Sequence, residues 1–157
     1  MVRRILVLHV DGDSVSADVT ATLLERAHDR IEVIVDHSAR AGIARVAADD
    51  AGVDCIVSDY DMPRMNGLDF LEVIRDRKPH LPFILFTGTG RDRLERVATE
   101  CGVTAYFEKD TDPATVERMA HRISRAVRVY RADQLWDPTG RRPQIRRHGR
   151  PRFPPTP

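Results

Sequence analysis

The chain has 157 residues, enough for one domain and an extension. Apolar residues make up 41% and charged residues 31%, which suits a soluble globular fold, and no apolar run approaches the roughly 18 residues that cross a bilayer. The net charge of +1 hides an asymmetry: residues 1–137 carry 24 acids and 19 bases, net −5, whereas residues 138–157 carry six arginines and no acid, net +6.

The first predicted element is a strand through Ile5, Leu6, Val7, Leu8 and Val10, ending at Asp11-Gly12-Asp13. The segment from Met1 to Leu8 is too short for the apolar core of a signal peptide, and acids follow at once, so a cytoplasmic protein is expected. Ser14 can cap a helix to about His28, with Val15, Val19, Leu23 and Ala27 on one face. Ile31, Val33, Ile34 and Val35 predict a second strand, followed by an alanine-rich helix from Ala39 to about Asp50, capped by Ser38 and stopped by Gly52.

Val53, Cys55, Ile56 and Val57 form the third strand. It surfaces at Asp59 and breaks at Met62-Pro63, because proline cannot continue a central strand. Asn66-Gly67 turns the chain into a helix holding Leu68, Leu71 and Ile74 that ends before Pro79. Pro82 to Phe86 give strand four, reaching Thr87, and Gly88-Thr89-Gly90 opens a loop. The next helix places Leu94, Val97 and Ala98 inward and stops at Gly102. Val103 to Phe107 form strand five, ending at Glu108-Lys109. Asp112-Pro113 starts a last helix whose inner face is Val116, Met119, Ala120, Ile123, Val127 and Tyr130.

Five rounds of nearly continuous apolar strand and following helix predict an α/β, flavodoxin-like, doubly wound parallel sheet in the order 2-1-3-4-5. The domain is expected over residues 1–130, with an Arg/Pro-rich disordered tail over 131–157 that cannot bury enough apolar surface to fold. Trp136 is the candidate to pin the start of that tail to the domain. Cys55 and Cys101 belong to no CxxC or Cys/His cluster, which argues against a disulfide framework or a zinc site.

In that strand order Asp11, Asp59, Thr87 and Lys109 meet at the carboxyl edge of the sheet, where open α/β sheets bind ligands. Carboxylates and a backbone carbonyl suit Mg²⁺. A hydroxyl and an ammonium can bond phosphate oxygens, and a carboxylate between them can form an aspartyl phosphate. A hydrolase reading lacks a base, since no Ser/His/Asp or Cys/His set presents itself. Structural roles stand beside each of these. Asp59 can serve as a turn residue, Asp11 can cap the first helix with Asp13, Thr87 can be a strand-end β-branched residue, and Lys109 can pair with Glu108 at the surface. Tyr106 can be core, and His9, mid-strand, reads as a core histidine rather than a ligand. Gly88-x-Gly90 fits neither nucleotide-loop pattern.

Residues 3 to about 130 resemble the receiver domain of two-component response regulators. The likeness rests on the acidic end of strand one, Asp59-Tyr60-Asp61-Met62-Pro63 with Asn66-Gly67, Thr87-Gly88, and Tyr106-Phe107-Glu108-Lys109. More narrowly, Leu-His-Val-Asp, Cys-Ile-Val-Ser-Asp-Tyr-Asp-Met-Pro and Phe-Ile-Leu-Phe-Thr-Gly are similar to haloarchaeal receivers. The resemblance implies a stand-alone phosphoprotein switch with no enzymatic activity beyond slow self-dephosphorylation. Asp59 would accept phosphate from a sensor histidine kinase or phosphotransfer protein. Asp11, Asp59 and Asp61 would hold Mg²⁺, with Asp13 a further candidate. Thr87 and Lys109 would contact the phosphoryl group, and Tyr106 would be the switch aromatic. An unknown downstream protein would read the face made by helix four, strand five and helix five.

Two departures stand out. Gly12 replaces the second of two adjacent acids usual in the family, which removes a charged ligand worth a few kcal/mol at an effective dielectric of about 20. Asp110 replaces the proline that commonly follows the lysine, which predicts a looser loop after strand five. The alternative function is therefore a pseudo-receiver, a protein-binding module with impaired metal binding. The basic tail is read on its composition as a solvated extension in preference to an arm that binds nucleic acid or an acidic partner, and no DNA-reading element fits in residues 131–157.

Overall fold

The computed structural model describes residues 3–48, 51–88 and 92–135. Ten elements alternate: β1 (Ile5–Val10), α1 (Ser14–Ala27), β2 (Ile31–Asp36), α2 (Ala39–Ala47), β3 (Cys55–Ser58), α3 (Gly67–Arg77), β4 (Phe83–Thr87), α4 (Asp92–Glu100), β5 (Ala105–Glu108) and α5 (Pro113–Leu135). The strands form one parallel sheet in the order β2-β1-β3-β4-β5, as expected for a doubly wound fold.

Both sheet faces are covered, which is why the strands read as unbroken apolar runs. Ile5 and Val7 of β1, Cys55 and Val57 of β3, and Ile84 and Phe86 of β4 pack against Leu24 of α1 and Met119, Ala120, Ile123 and Val127 of α5. The alternate residues Leu8, Val10, Ile56 and Phe83 pack against Ala39 and Val46 of α2 and Phe70, Leu71 and Ile74 of α3. Phe70 and Phe83 meet edge to face with centroids 5.5 Å apart. Burying each of the Leu, Ile, Val, Phe and Met side chains in these clusters contributes about 1.5–3 kcal/mol.

Several sequence expectations are corrected. Asp13, not Ser14, caps α1, its side chain accepting from Val15 and Ser16 N–H. The buried face of α1 is Ala17, Thr20 and Leu24, while Val15 and Val19 are 72% and 54% exposed. The true face lies one residue on from the predicted one, a rotation of about 100°. On α4, Val97 is exposed and Ala98 alone is fully buried. α2 ends at Ala47, before Gly52, and β3 and β5 each begin two residues later than predicted. α5 continues to Leu135, across the expected boundary at 131. The loop after β5 is tied rather than loose. Asp110 accepts from Asp112 N–H at 3.0 Å and from the Thr115 hydroxyl at 2.7 Å, so a carboxylate does the ordering expected of the family's proline. Trp136, Thr89, Gly90 and the rest of the tail lie outside the described residues.

Candidate functional site

The backbone ladder continues one residue beyond the strands, and this fixes the site. Asp59 N–H donates to Val10 O at 2.9 Å, Asp11 N–H to Asp36 O at 3.1 Å, and Lys109 N–H to Thr87 O at 2.7 Å. Asp11, Asp59 and Lys109 therefore leave β1, β3 and β5 at the same edge, with Thr87 closing β4 between them.

Lys109 holds the two acids together. Its Nζ lies 2.8 Å from Asp11 Oδ2 and 3.2 Å from Asp59 Oδ2, and 5.8 Å from the Phe86 ring centroid. The remaining carboxylate oxygens are also engaged. Asp11 Oδ1 accepts from Asp13 N–H at 2.9 Å, and Asp59 Oδ1 from Tyr60 N–H at 2.7 Å. Burial pushes the Asp11 carboxyl up, but the Lys109 ammonium and the Asp13 N–H outweigh it and hold it below its ordinary value. Burial likewise opposes the charge on Lys109, and its two carboxylate partners overcome that and raise it. The Thr87 hydroxyl is buried beside this group with no hydrogen-bond partner, so it is a donor available to an incoming anion.

Asp61 is exposed on the loop after β3, and Tyr106 is half-buried on β5, paired in register with Leu85. Asp13 is committed to the α1 cap through Oδ1. Gly12 is exposed between the two acids. A Cβ there would meet only Pro63 Cδ at 3.7 Å and His37 O at 3.9 Å, so nothing blocks a side chain at that position.

Two residues matter more than the sequence suggested. Gly67 donates its N–H to Tyr60 O at 2.9 Å, and a Cβ there would collide with the Asp59 carbonyl. The Asn66-Gly67 turn signal thus hides a steric requirement at the site itself. His9 is fully buried, with Nδ1 3.0 Å from Val57 O and Nε2 unpartnered, 3.9 Å from Asp11 Oδ2. Its Nδ1 is satisfied as a core histidine's should be, but its other nitrogen faces the acidic site. Desolvation lowers its pKa, so the ring is held neutral.

The sequence profile of the response regulator receiver domain matches residues 7–121, and the chain belongs to that family. Among curated relatives, the transcriptional regulatory protein FixJ of Azorhizobium caulinodans is 32% identical over 111 residues, 68% of this chain and 49% of that protein. The two-component response regulator ORR3 of Oryza sativa subsp. indica is 29% identical over 119 residues, 74% of this chain and 88% of that protein. The chain spans only 19% of the Arabidopsis thaliana putative response regulator ARR21, at 25% identity. Among solved structures, a receiver domain protein from Clostridium thermocellum superposes with a TM-score of 0.72 at 23% identity, covering 82% of this chain and 98% of that one. The crystal structure of FIXJ-N gives 0.69 at 26% identity, covering 81% and 96%. The narrower likeness to haloarchaeal receivers is not something these relatives show.

Receiver domains are signalling switches of two-component systems and generally depend on Mg²⁺. The donor set here suits such a hard cation, since the buried Asp11 and the nearly buried Asp59 bring carboxylate oxygens to one sheet edge. The fit is thinner than the family's, because Gly12 supplies no carboxylate. Among the described residues no cluster of three His, Cys, Asp or Glu side chains converges on one point. Among the described residues, no helix is long and apolar enough to cross a membrane.

Proposed function

We propose that Asp59 accepts a phosphoryl group from a phosphohistidine on a sensor kinase or phosphotransfer protein, with Mg²⁺ bound by Asp11, Asp59 and the loop at Asp61. The observation that carries this reading is the convergence of Lys109 on Asp11 and Asp59 beside the unpartnered Thr87 hydroxyl. In the transfer, an Asp59 carboxylate oxygen forms a bond to phosphorus while the phosphorus–nitrogen bond of the donor breaks. The departing imidazole keeps the electron pair and takes up a proton. Lys109 turns from the carboxylates toward the phosphoryl oxygens, and the Thr87 hydroxyl donates to one of them. Bound Mg²⁺ supplies charge neutralisation at the phosphoryl oxygens. With Thr87 drawn in, Tyr106 packs inward and the α4-β5-α5 face changes shape for a protein partner, with slow hydrolysis as the only intrinsic turnover.

The second reading, a pseudo-receiver, is favoured by one observation: Lys109 already bridges the two acids, and Gly12 adds no ligand to displace it. Incubation with acetyl phosphate and millimolar Mg²⁺ separates the two. The first reading predicts an acid-labile mass gain of one phosphoryl group that Asp59→Asn abolishes. An unmodified protein under those conditions supports the pseudo-receiver instead.

A further inference from the structure

A cleft of about 570 Å³ opens at the amino edge of the sheet, opposite the edge that carries Asp59, and its size falls within the range of small-molecule sites. Its walls come from the end of α3, the residues that precede β4 and β5, and α5 from Arg122 onward. Two half-buried guanidiniums, Arg75 and Arg122, line it. Both are fixed by backbone carbonyls. Arg75 donates through Nη1 to Lys78 O at 3.3 Å and Leu81 O at 2.6 Å, and through Nε and Nη2 to Gly102 O at 3.3 and 3.0 Å. Arg122 donates through Nη2 to Thr104 O at 3.1 Å. Arg122 thus keeps most of its N–H donors for a ligand, and Arg75 keeps its second Nη2 hydrogen. Neither pairs with a carboxylate among the described residues, whereas the half-buried Arg45 meets Asp36 and Arg131 meets Asp54. Burial opposes the charge on Arg75 and pushes its pKa down, with no carboxylate close by to offset it. Asp133 also lines the cleft, but its place eleven residues beyond Arg122 puts it about 16 Å further along α5.

We infer that this cleft binds a small organic anion, its carboxylate or phosphate oxygens taken by Arg75 and Arg122 and its apolar body laid against Val129 and Tyr130. Three observations carry this. The two cations are already positioned by carbonyls, so little side-chain freedom is lost when an anion arrives. Their planar forks match the paired oxygens of a carboxylate or a phosphate. The wall beside them is apolar, with Pro79 and Pro82 facing Tyr130 and a Val129 that is 60% exposed. Clamping carbonyls accounts for Arg75 as a strut between α3 and the turn before β5. It does not account for a second guanidinium that makes a single such bond and turns its remaining donors to the same cleft. A small ligand at the amino edge leaves the outward faces of α4, β5 and α5 to a protein partner, and its binding does not depend on phosphorylation of Asp59.

The test is an amide-detected NMR titration of the full chain, in metal-free chloride buffer, with benzoate and with phenyl phosphate. Benzamide serves as the uncharged comparator and inorganic phosphate as the anion without an apolar body. The expected result is saturable binding of at least one organic anion with a Kd of about 1 mM or tighter. The amides of Gly102, Thr104 and Arg122 should shift, and those of Asp11, Asp59 and Lys109 should not. The tighter of the two anions identifies which oxygen group the cleft takes, and both comparators should bind at least about tenfold more weakly than it. Arg122→Gln should weaken binding at least about tenfold, as the loss of a charge-assisted hydrogen bond does. Val129→Glu places an acid on an exposed wall, away from the core, and should weaken it similarly. A thermal melt shows whether each variant is folded, and if Arg122→Gln melts early then Val129→Glu decides. Several results would overturn the inference: no saturable shift from either organic anion up to about 10 mM, a comparator that binds as tightly as the organic anions, shifts centred on Lys109, or folded variants that bind like the parent.

Discussion

At the scale of single residues, the site is a contest for carboxylate oxygens. Lys109 stands out in the sequence because only two of 25 basic residues are lysines, and this one follows a strand. Its bridging of both acids was not legible, because it depends on where the ammonium settles once three strand ends meet. Gly12→Asp restores a carboxylate into open space and should tighten Mg²⁺ binding at least about tenfold, a modest part of the roughly 4 kcal/mol available at close range. Isothermal titration checks this, and unchanged affinity would show that Gly12 is not what thins the site. His9 gives a pH prediction. Its folded pKa is lowered by burial, so below the ordinary 6.5 the unfolded chain binds a proton that the folded chain does not, and stability falls as pH drops through that window. Asp11 acts lower. Its depressed carboxyl contributes stability that is present above about 3.8 and lost as pH falls through its folded value. Lys109 acts at the other end, contributing below about 10.5 and losing that as pH rises through its raised folded value. In metal-free buffer, urea melts of His9→Leu should therefore lose the decline below about pH 6.5 and keep the other two. An identical pH profile would contradict the burial of a neutral ring.

At the scale of elements, periodicity identified all ten segments but misassigned faces where competing stripes exist. Val15, Val19 and Leu23 make as good a four-residue stripe as Ala17, Thr20 and Leu24. What decides between them is tertiary packing, which seats Leu24 in the core between the sheet and α5 and leaves Leu23 only partly buried against it. The same limit applies to Gly67, where the requirement comes from a carbonyl eight residues earlier in the chain. Gly67→Ala should cost about 1–3 kcal/mol in urea unfolding, as overpacking does, and should disturb Asp59 with it. A neutral effect would mean that the β3–α3 loop yields freely. The lower end of α5 is fastened by Arg131, which donates to Arg4 O at 2.6 Å and to Asp54 Oδ2 at 2.9 Å, while Asp54 also accepts from Leu6 N–H. Arg131→Gln should destabilise by about 1–3 kcal/mol by weakening the partnership of a largely buried carboxylate. This clasp joins residues 77 positions apart, and no local pattern could have announced it.

At the scale of the whole molecule, a switch needs an element with two arrangements a few kcal/mol apart. α4 is the natural candidate, since Ala98 is its only fully buried residue, whereas α3 buries Gly67, Phe70, Leu71 and Ile74. Hydrogen exchange after phosphorylation should change most over residues 92–108 and least over α3, and a uniform change would argue against an α4-β5-α5 output face. Strand periodicity predicted the five alternating units and the groups at the strand ends, and the flavodoxin-like order then brought those ends together. Which of the five α5 arginines face outward was not legible, because only the packed helix shows it.

The central claim is that Asp59 is the residue phosphorylated, and chemical trapping tests it most directly. Treatment with acetyl phosphate and Mg²⁺, followed by borohydride reduction and peptide mapping, should yield homoserine at position 59 and none when Mg²⁺ is chelated. Homoserine at position 11 or 61, or at no position, would contradict the account.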